Sequence, residues 1–133
     1  MPKSVAIVAG SYHKDKVKKM VEIVKSLSPD NNLLIEEVCW VPGSMEIPLQ
    51  IKRLLLRESI HGVIVLGIIE KGETDHGLVM GQAVTKSVID LQLLSMKPIG
   101  FGIIGPGAEG EQIDKRVEVH AKQAVLAVAE MLT

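Results

Sequence analysis

The chain has 133 residues, 47% of them apolar, with 15 basic against 16 acidic side chains and a net charge of −1. That apolar content argues against disorder and predicts a single domain over residues 1–133 with a substantial core. The balanced charge leaves no basic footprint for nucleic acid and no polybasic surface for a membrane.

Tyr12, Trp40 and Phe101 are the only aromatic residues, too few for a platform on which successive bases stack. Cys39 stands alone, which leaves no internal disulfide and no thiolate cage for a metal. No run reaches membrane-spanning length, and no apolar leader opens the sequence. The expectation is a soluble, cytoplasmic protein.

Short β-branched runs alternate with longer stretches of helical period. Ser4–Gly10 (SVAIVAG) predicts a buried strand. From His13 to about Ser28, Val17, Met20, Val21, Val24 and Leu27 form one helical face. Asn31–Trp40 predicts a second strand, and Ile47, Ile51, Leu54 and Leu55 mark a second helix. Gly62–Ile69 (GVIVLGII) is apolar throughout, as suits a strand covered on both faces. Val79, Val84, Val88 and Leu91 define a third helix. Lys97–Gly105 predicts a fourth strand, and Val117, Ala121, Ala124, Val128 and Met131 a fourth helix. Four βα units in a row predict a parallel sheet with helices on both faces.

Ligands of such sheets bind beyond the carboxyl ends of the strands. Four loops make that edge here: Gly10–His13, Val41–Glu46, Glu70–His76 and Gly105–Glu111. In the third, Gly72, Glu73, Thr74, Asp75 and His76 precede a helix. Free amides and the positive dipole end of a helix form an anion site, with Gly72 permitting close approach and Thr74 adding a hydroxyl. An ordinary helix cap by Thr74 or Asp75 accounts for the same residues. His76 in the first turn could pass protons near neutral pH, or could be an exposed surface histidine. The other histidines share no metal-ligand spacing with it, so no metal is expected.

In the second loop, Pro42 fixes an extended entry, Gly43 permits close approach, and Glu46 could accept hydrogen bonds from a polyhydroxy ligand. A turn followed by an acidic residue that complements the helix dipole is the plainer alternative. Tyr12 offers a ring that could stack on a heteroaromatic ligand or simply cover a helix end. Phe101, in mid-strand, suits core packing. Arg116 and Lys122 could serve a phosphate or lie on a solvated helix face. Gly77 and Gly81 point to close helix packing.

VPGSMEIP, VLGIIEKGETDH, KPIGFGII and EQIDKR followed by a lysine occur in the order found in the 6,7-dimethyl-8-ribityllumazine synthase family, which the chain resembles over nearly its whole length. The resemblance implies a three-layer α/β/α sandwich on a four-stranded parallel, flavodoxin-like sheet. It implies a reaction of riboflavin biosynthesis without metal or organic cofactor: condensation of 5-amino-6-(D-ribitylamino)uracil with 3,4-dihydroxy-2-butanone 4-phosphate. It implies that Tyr12 stacks on the heterocycle, that Ser44, Met45 and Glu46 line the ribityl chain, and that Ile68 and Ile69 meet the pyrimidine. Gly72, Glu73 and Thr74 would form the phosphate loop and His76 would transfer protons. Phe101, Arg116 and Lys122 would reach the site from a neighbouring subunit of a homo-pentamer, with Arg116 on the phosphate; pentamers of the family also close into icosahedral shells. His13 stands where asparagine often follows the aromatic, Gly77 where many members carry an aromatic, and the GPGAEG loop looks archaeal. Two alternatives share the scaffold: an archaeal-type riboflavin synthase, and a non-catalytic flavin-binding or shell-forming protein.

Overall fold

The computed structural model describes residues 1–70, 74–105, 108 and 110–133. Strand β1 (Lys3–Gly10) leads into helix α1 (Lys14–Leu27), β2 (Leu33–Val41) into α2 (Ile47–Leu55), β3 (Gly62–Ile68) into α3 (His76–Ser95), and β4 (Ile99–Ile104) into α4 (Glu111–Met131). The four strands form one all-parallel sheet in the order β2-β1-β3-β4. Helices α1 and α4 cover one face and α2 and α3 the other, which gives the expected three-layer, flavodoxin-like sandwich.

Alternation within the central strands divides the core. Val5, Ile7 and Ala9 of β1, with Ile64, Leu66 and Ile68 of β3, pack against Val17, Val21 and Val24 of α1 and Ala121, Ala124 and Val128 of α4. Ala6 and Val8, with Val63 and Val65, face Ile47, Ile51 and Leu54 of α2 and Val84 and Val88 of α3. Every residue of β3 is buried, as its unbroken apolar run requires. Each aliphatic side chain so buried contributes about 1.5–3 kcal/mol.

Edge strand β2 begins later than its sequence suggests. Pro29–Asn31 form a 3-10 turn, and Asn32 takes a left-handed conformation (φ 59°) that its short polar side chain tolerates. Glu36 is the extra residue of a bulge opposite Val5 and Ala6, and it accepts a bond from the Ser4 hydroxyl at 2.9 Å. A bulged, charged edge resists pairing with another strand. Strand β4 also starts later, because Lys97 is used elsewhere. Its ammonium donates to the carbonyls of Leu55 (2.9 Å) and Arg57 (3.0 Å), where the end of α2 carries partial negative charge.

Two apolar positions fall on the wrong side. Val79 is 60% exposed, because the buried stripe of α3 runs Gly77, Gly81, Val84, Val88 and the five-residue step from Val79 to Val84 breaks the helical period. Met131 is 72% exposed; Leu132, four residues after Val128, packs on the core instead. Gly77 shows why α3 needs a small residue at its start: a Cβ there would lie 2.8 Å from the Glu70 carbonyl oxygen. Gly100 has the same role on the other face, where a Cβ would meet the Ala124 carbonyl at 2.3 Å. Glycines at these two points bring α3 and α4 against the sheet.

Candidate functional site

The chain leaves β1 for α1 on one face and returns through α2 on the other, so β1 and β3 flank the point where the connections diverge. Sheets of this kind open a crevice there. A cavity of about 410 Å³ occupies that place. Tyr12 lines it from the loop after β1, Pro42–Glu46 from the loop after β2, Ile68, Ile69 and Glu70 from the end of β3, and Thr74, His76, Gly77 and Met80 from the start of α3.

Local rules place each group. Pro48 sits in the first turn of α2, where its missing N–H costs no helical bond. The preceding Ser44–Glu46 make one 3-10 turn, closed by the Glu46 amide on the Gly43 carbonyl at 3.2 Å. Ser44 is buried, whereas Met45 (62%) and Glu46 are exposed at the cavity mouth. A Cβ at Gly43 would make only ordinary contact with the Glu46 carboxylate, at 3.5 Å.

At α3, Asp75 occupies the cap position without making a side-chain cap bond. The Thr74 hydroxyl instead accepts the His76 amide at 3.3 Å. That bond uses one first-turn N–H; the helix itself offers no i−4 acceptor to the next two amides. His76 is exposed and faces the cavity with Thr74 and Glu46. A hydroxyl, helix-start amides, a carboxylate and an imidazole therefore converge on a mostly aliphatic pocket, an arrangement fit to hold an anion and move protons.

The rim carries a contact that composition does not announce. The Glu70 carboxylate accepts from the Tyr12 hydroxyl (3.1 Å) and from His13 Nε2 (2.6 Å), both at Oε2. His13 and Tyr12 also meet edge to face, with ring centroids 4.4 Å apart and an interplanar angle of 63°. His13, foremost, and then Tyr12 hold the Glu70 carboxyl below its ordinary range. Glu70 in turn pushes the Tyr12 phenol above its ordinary value, first by accepting its proton in a hydrogen bond. His13 adopts a left-handed backbone (φ 55°, ψ 47°), which costs a side-chain-bearing residue about 1–2 kcal/mol. Asparagine tolerates that conformation better.

Of the residues singled out from sequence, Tyr12, Ser44, Met45, Glu46, Ile68, Ile69, Thr74 and His76 share this one cavity. Gly72 and Glu73 lie outside the described residues. Phe101, Arg116 and Lys122 do not line it. Phe101 is 36% exposed on edge strand β4 and is not core; Arg116 is exposed on α4, its guanidinium bonded to the Gln112 carbonyl at 3.0 Å; Lys122 is exposed on the same helix. Sequence reasoning assigned nothing to Glu70 or Met80. Glu70 follows the last buried strand residues on the functional edge, and that position was its available signal. Among the described residues no group of three His, Cys, Asp or Glu side chains could hold a metal ion, and no helix is long and apolar enough to cross a membrane.

Sheet order and cavity define a doubly wound α/β protein with a small-molecule cleft at its topological switch point. The model of the 6,7-dimethyl-8-ribityllumazine synthase family matches residues 2–133, and the chain belongs to that family. It is 39% identical over 125 residues to the 6,7-dimethyl-8-ribityllumazine synthase of Metallosphaera sedula, covering 94% of this chain and 83% of the relative. The enzyme of the same name from Staphylothermus marinus is 38% identical over 128 residues (96% and 85%), and that from Picrophilus torridus 34% over 128 residues (96% and 93%). All three sources are archaea, in keeping with the Gly-Pro-Gly loop.

Proposed function

We propose that the chain condenses 5-amino-6-(D-ribitylamino)uracil with 3,4-dihydroxy-2-butanone 4-phosphate to give 6,7-dimethyl-8-ribityllumazine. The convergence of Tyr12, Glu46, Thr74 and His76 from three βα connections on one cavity, in a chain of this family, carries the reading. The amine attacks the ketone to form an imine and releases water. Elimination then expels inorganic phosphate, and ring closure with loss of a second water completes the lumazine. Tyr12 stacks on the pyrimidine, Ser44, Met45 and Glu46 receive the ribityl hydroxyls, and Ile68 and Ile69 wall the ring. Thr74 and the amides at the start of α3 take the phosphate. His76 carries protons between the amine and the leaving oxygens. Holding two reactants in register can contribute about 7–11 kcal/mol, and a proton carrier typically adds roughly 10²–10⁴-fold.

Arg116, Phe101 and Lys122 lie at the β4–α4 end of the molecule, away from the cavity lining. Their use requires a second copy, whose β4 end meets the cleft of the first. Such a head-to-tail contact repeats around a closed ring. The outer side of α3 supports it: Leu78, Val79, Ile89, Leu93 and Leu94 are all exposed around the Lys86–Asp90 ion pair, and exposed apolar residues grouped in this way suit a contact with another copy. The ring we propose is the homo-pentamer of the family, acting in the cytoplasm.

Incubation with both substrates should release lumazine and inorganic phosphate in equal amounts. Riboflavin formed from lumazine alone would identify a riboflavin synthase instead. No product in either mixture would leave a binding or shell-forming protein.

A further inference from the structure

The condensation leaves His13, Glu70 and the Tyr12 hydroxyl without a role, yet these groups form one cluster on the rim of the cleft. A tyrosine ring in a loop, 53% exposed, would ordinarily sample several rotamers. This one is held at two points. Its hydroxyl donates to Glu70 at 3.1 Å, and the edge-to-face contact with His13 lies at 4.4 Å between centroids. A carboxylate only accepts, so His13 Nε2 carries the proton in the 2.6 Å contact. Glu70 thereby fixes both rings at once and joins the loop after β1 to the end of β3. The pair is not a fully solvated surface bridge: the His13 and Glu70 side chains are 29% and 30% exposed. Lys16 is the other cation acting on Glu70, and it is itself engaged with Asp114 of α4 at 2.9 Å. The left-handed backbone of His13 adds a further sign of constraint, since such conformations persist where surrounding contacts over-determine them.

We propose that Glu70 and His13 are positioning residues that hold the Tyr12 ring as a preformed platform for the flat heterocycle, an inference that rests on the reading that Tyr12 stacks on it. Glu70 sets the ring angle through the hydroxyl, and His13 closes off the alternative rotamers from the side. A platform fixed before binding spares the ligand the ordering of a mobile side chain. The effect therefore falls on affinity for the pyrimidinedione. The butanone phosphate, which meets the start of α3, does not feel it.

Four variants and two readouts test the proposal. Glu70→Ala and Tyr12→Phe should each raise KM for the ribitylaminouracil about three- to tenfold, leaving KM for the butanone phosphate unaltered. The double variant should be no worse than the weaker single, because both remove the same bond. Glu70→Gln, which keeps an acceptor, should fall between wild type and Glu70→Ala. Tyr12 is the only tyrosine, so its ring gives a single set of carbon-13 signals. Those signals should sharpen to one fast-averaged set in Glu70→Ala while the melting temperature stays within a few degrees. Additive losses, or unchanged ring signals in Glu70→Ala, would overturn the positioning role. Tyr12→Ala separates this from the reading beneath it. A large rise in its KM with none in Glu70→Ala leaves the stacking in place and removes the latch; no rise in Tyr12→Ala removes both.

Discussion

The two helical layers cover the same sheet but end differently at their outer surfaces. Helix α1 shows Lys18, Lys19, Glu22 and Lys25 to solvent, opposite a stripe of fully buried aliphatics. Helix α3 shows Leu78, Val79, Ile89, Leu93 and Leu94. Its buried stripe begins with two glycines. The first helix is amphipathic because one side meets the core and the other meets water. The second carries apolar residues on both sides, and its exposed side holds them beside a Lys86–Asp90 ion pair of 2.6 Å. It is also the helix whose first turn carries His76, so the layer with apolar residues on its outer surface is also the layer that lines the cleft.

The sharpest way to break this comparison is to charge the outer side of α3. Leu93→Glu with Leu94→Glu should dissolve the ring into folded monomers and take activity to background, because each cleft would lose its neighbour's residues. Lys18→Glu with Lys19→Glu on α1 should alter neither sedimentation nor turnover. Sedimentation velocity with a condensation assay distinguishes the cases. A ring that survives the α3 charges would make that surface an ordinary one.

Next in size is the chemistry of the cleft. His76→Ala should lower turnover by roughly 10- to 100-fold, with almost no change in melting temperature because the side chain is exposed. Full turnover would leave proximity alone as the catalyst. On the opposite layer, Gly100→Ala should destabilise the fold by about 1–3 kcal/mol, since its Cβ would press on the Ala124 carbonyl and Val128. Denaturant unfolding measures this, and an unchanged midpoint would mean that α4 can give way.

The contrast also explains what was legible in the residues alone. α1 could be read because its lysines and valines alternate with the helical period. β3 could be read because a strand buried on both faces has to be apolar throughout. α3 misled at Val79 because apolar residues lie on its exposed side as well as its buried one, so the pattern does not orient the period. At Phe101 it was the plain alternative of core packing that fell: the sheet order makes β4 an edge and leaves this mid-strand phenylalanine 36% exposed. The cleft was legible where special residues mark it, at Gly43, Glu46 and His76. It was not legible at Glu70, whose partners Tyr12 and His13 lie 58 and 57 residues away in sequence and meet it only through the pairing of β1 with β3.

The smallest expected effect is a titration. The Tyr12 phenol is held above its ordinary value of 10.0 first because its proton serves the Glu70 bond, then because it is partly withdrawn from water, and last because two adjacent anions repel. All three causes favour the neutral form and two of them come from Glu70, so the midpoint of tyrosinate absorbance should lie above 10.0 and move down in Glu70→Ala. An unshifted midpoint in that variant would mean that the bond is not formed in solution.

The central claim is that each cleft is half a site, completed by the β4–α4 end of another copy. Subunit mixing tests it most directly. His76→Ala chains and Arg116→Ala chains should each assemble into nearly inactive rings. After co-refolding, hybrid rings should regain a fraction of wild-type turnover, because some clefts pair an intact His76 with an intact Arg116 from the neighbour. Hybrid rings that form and show no recovered activity, or a wild-type enzyme that is active as a monomer, would contradict it.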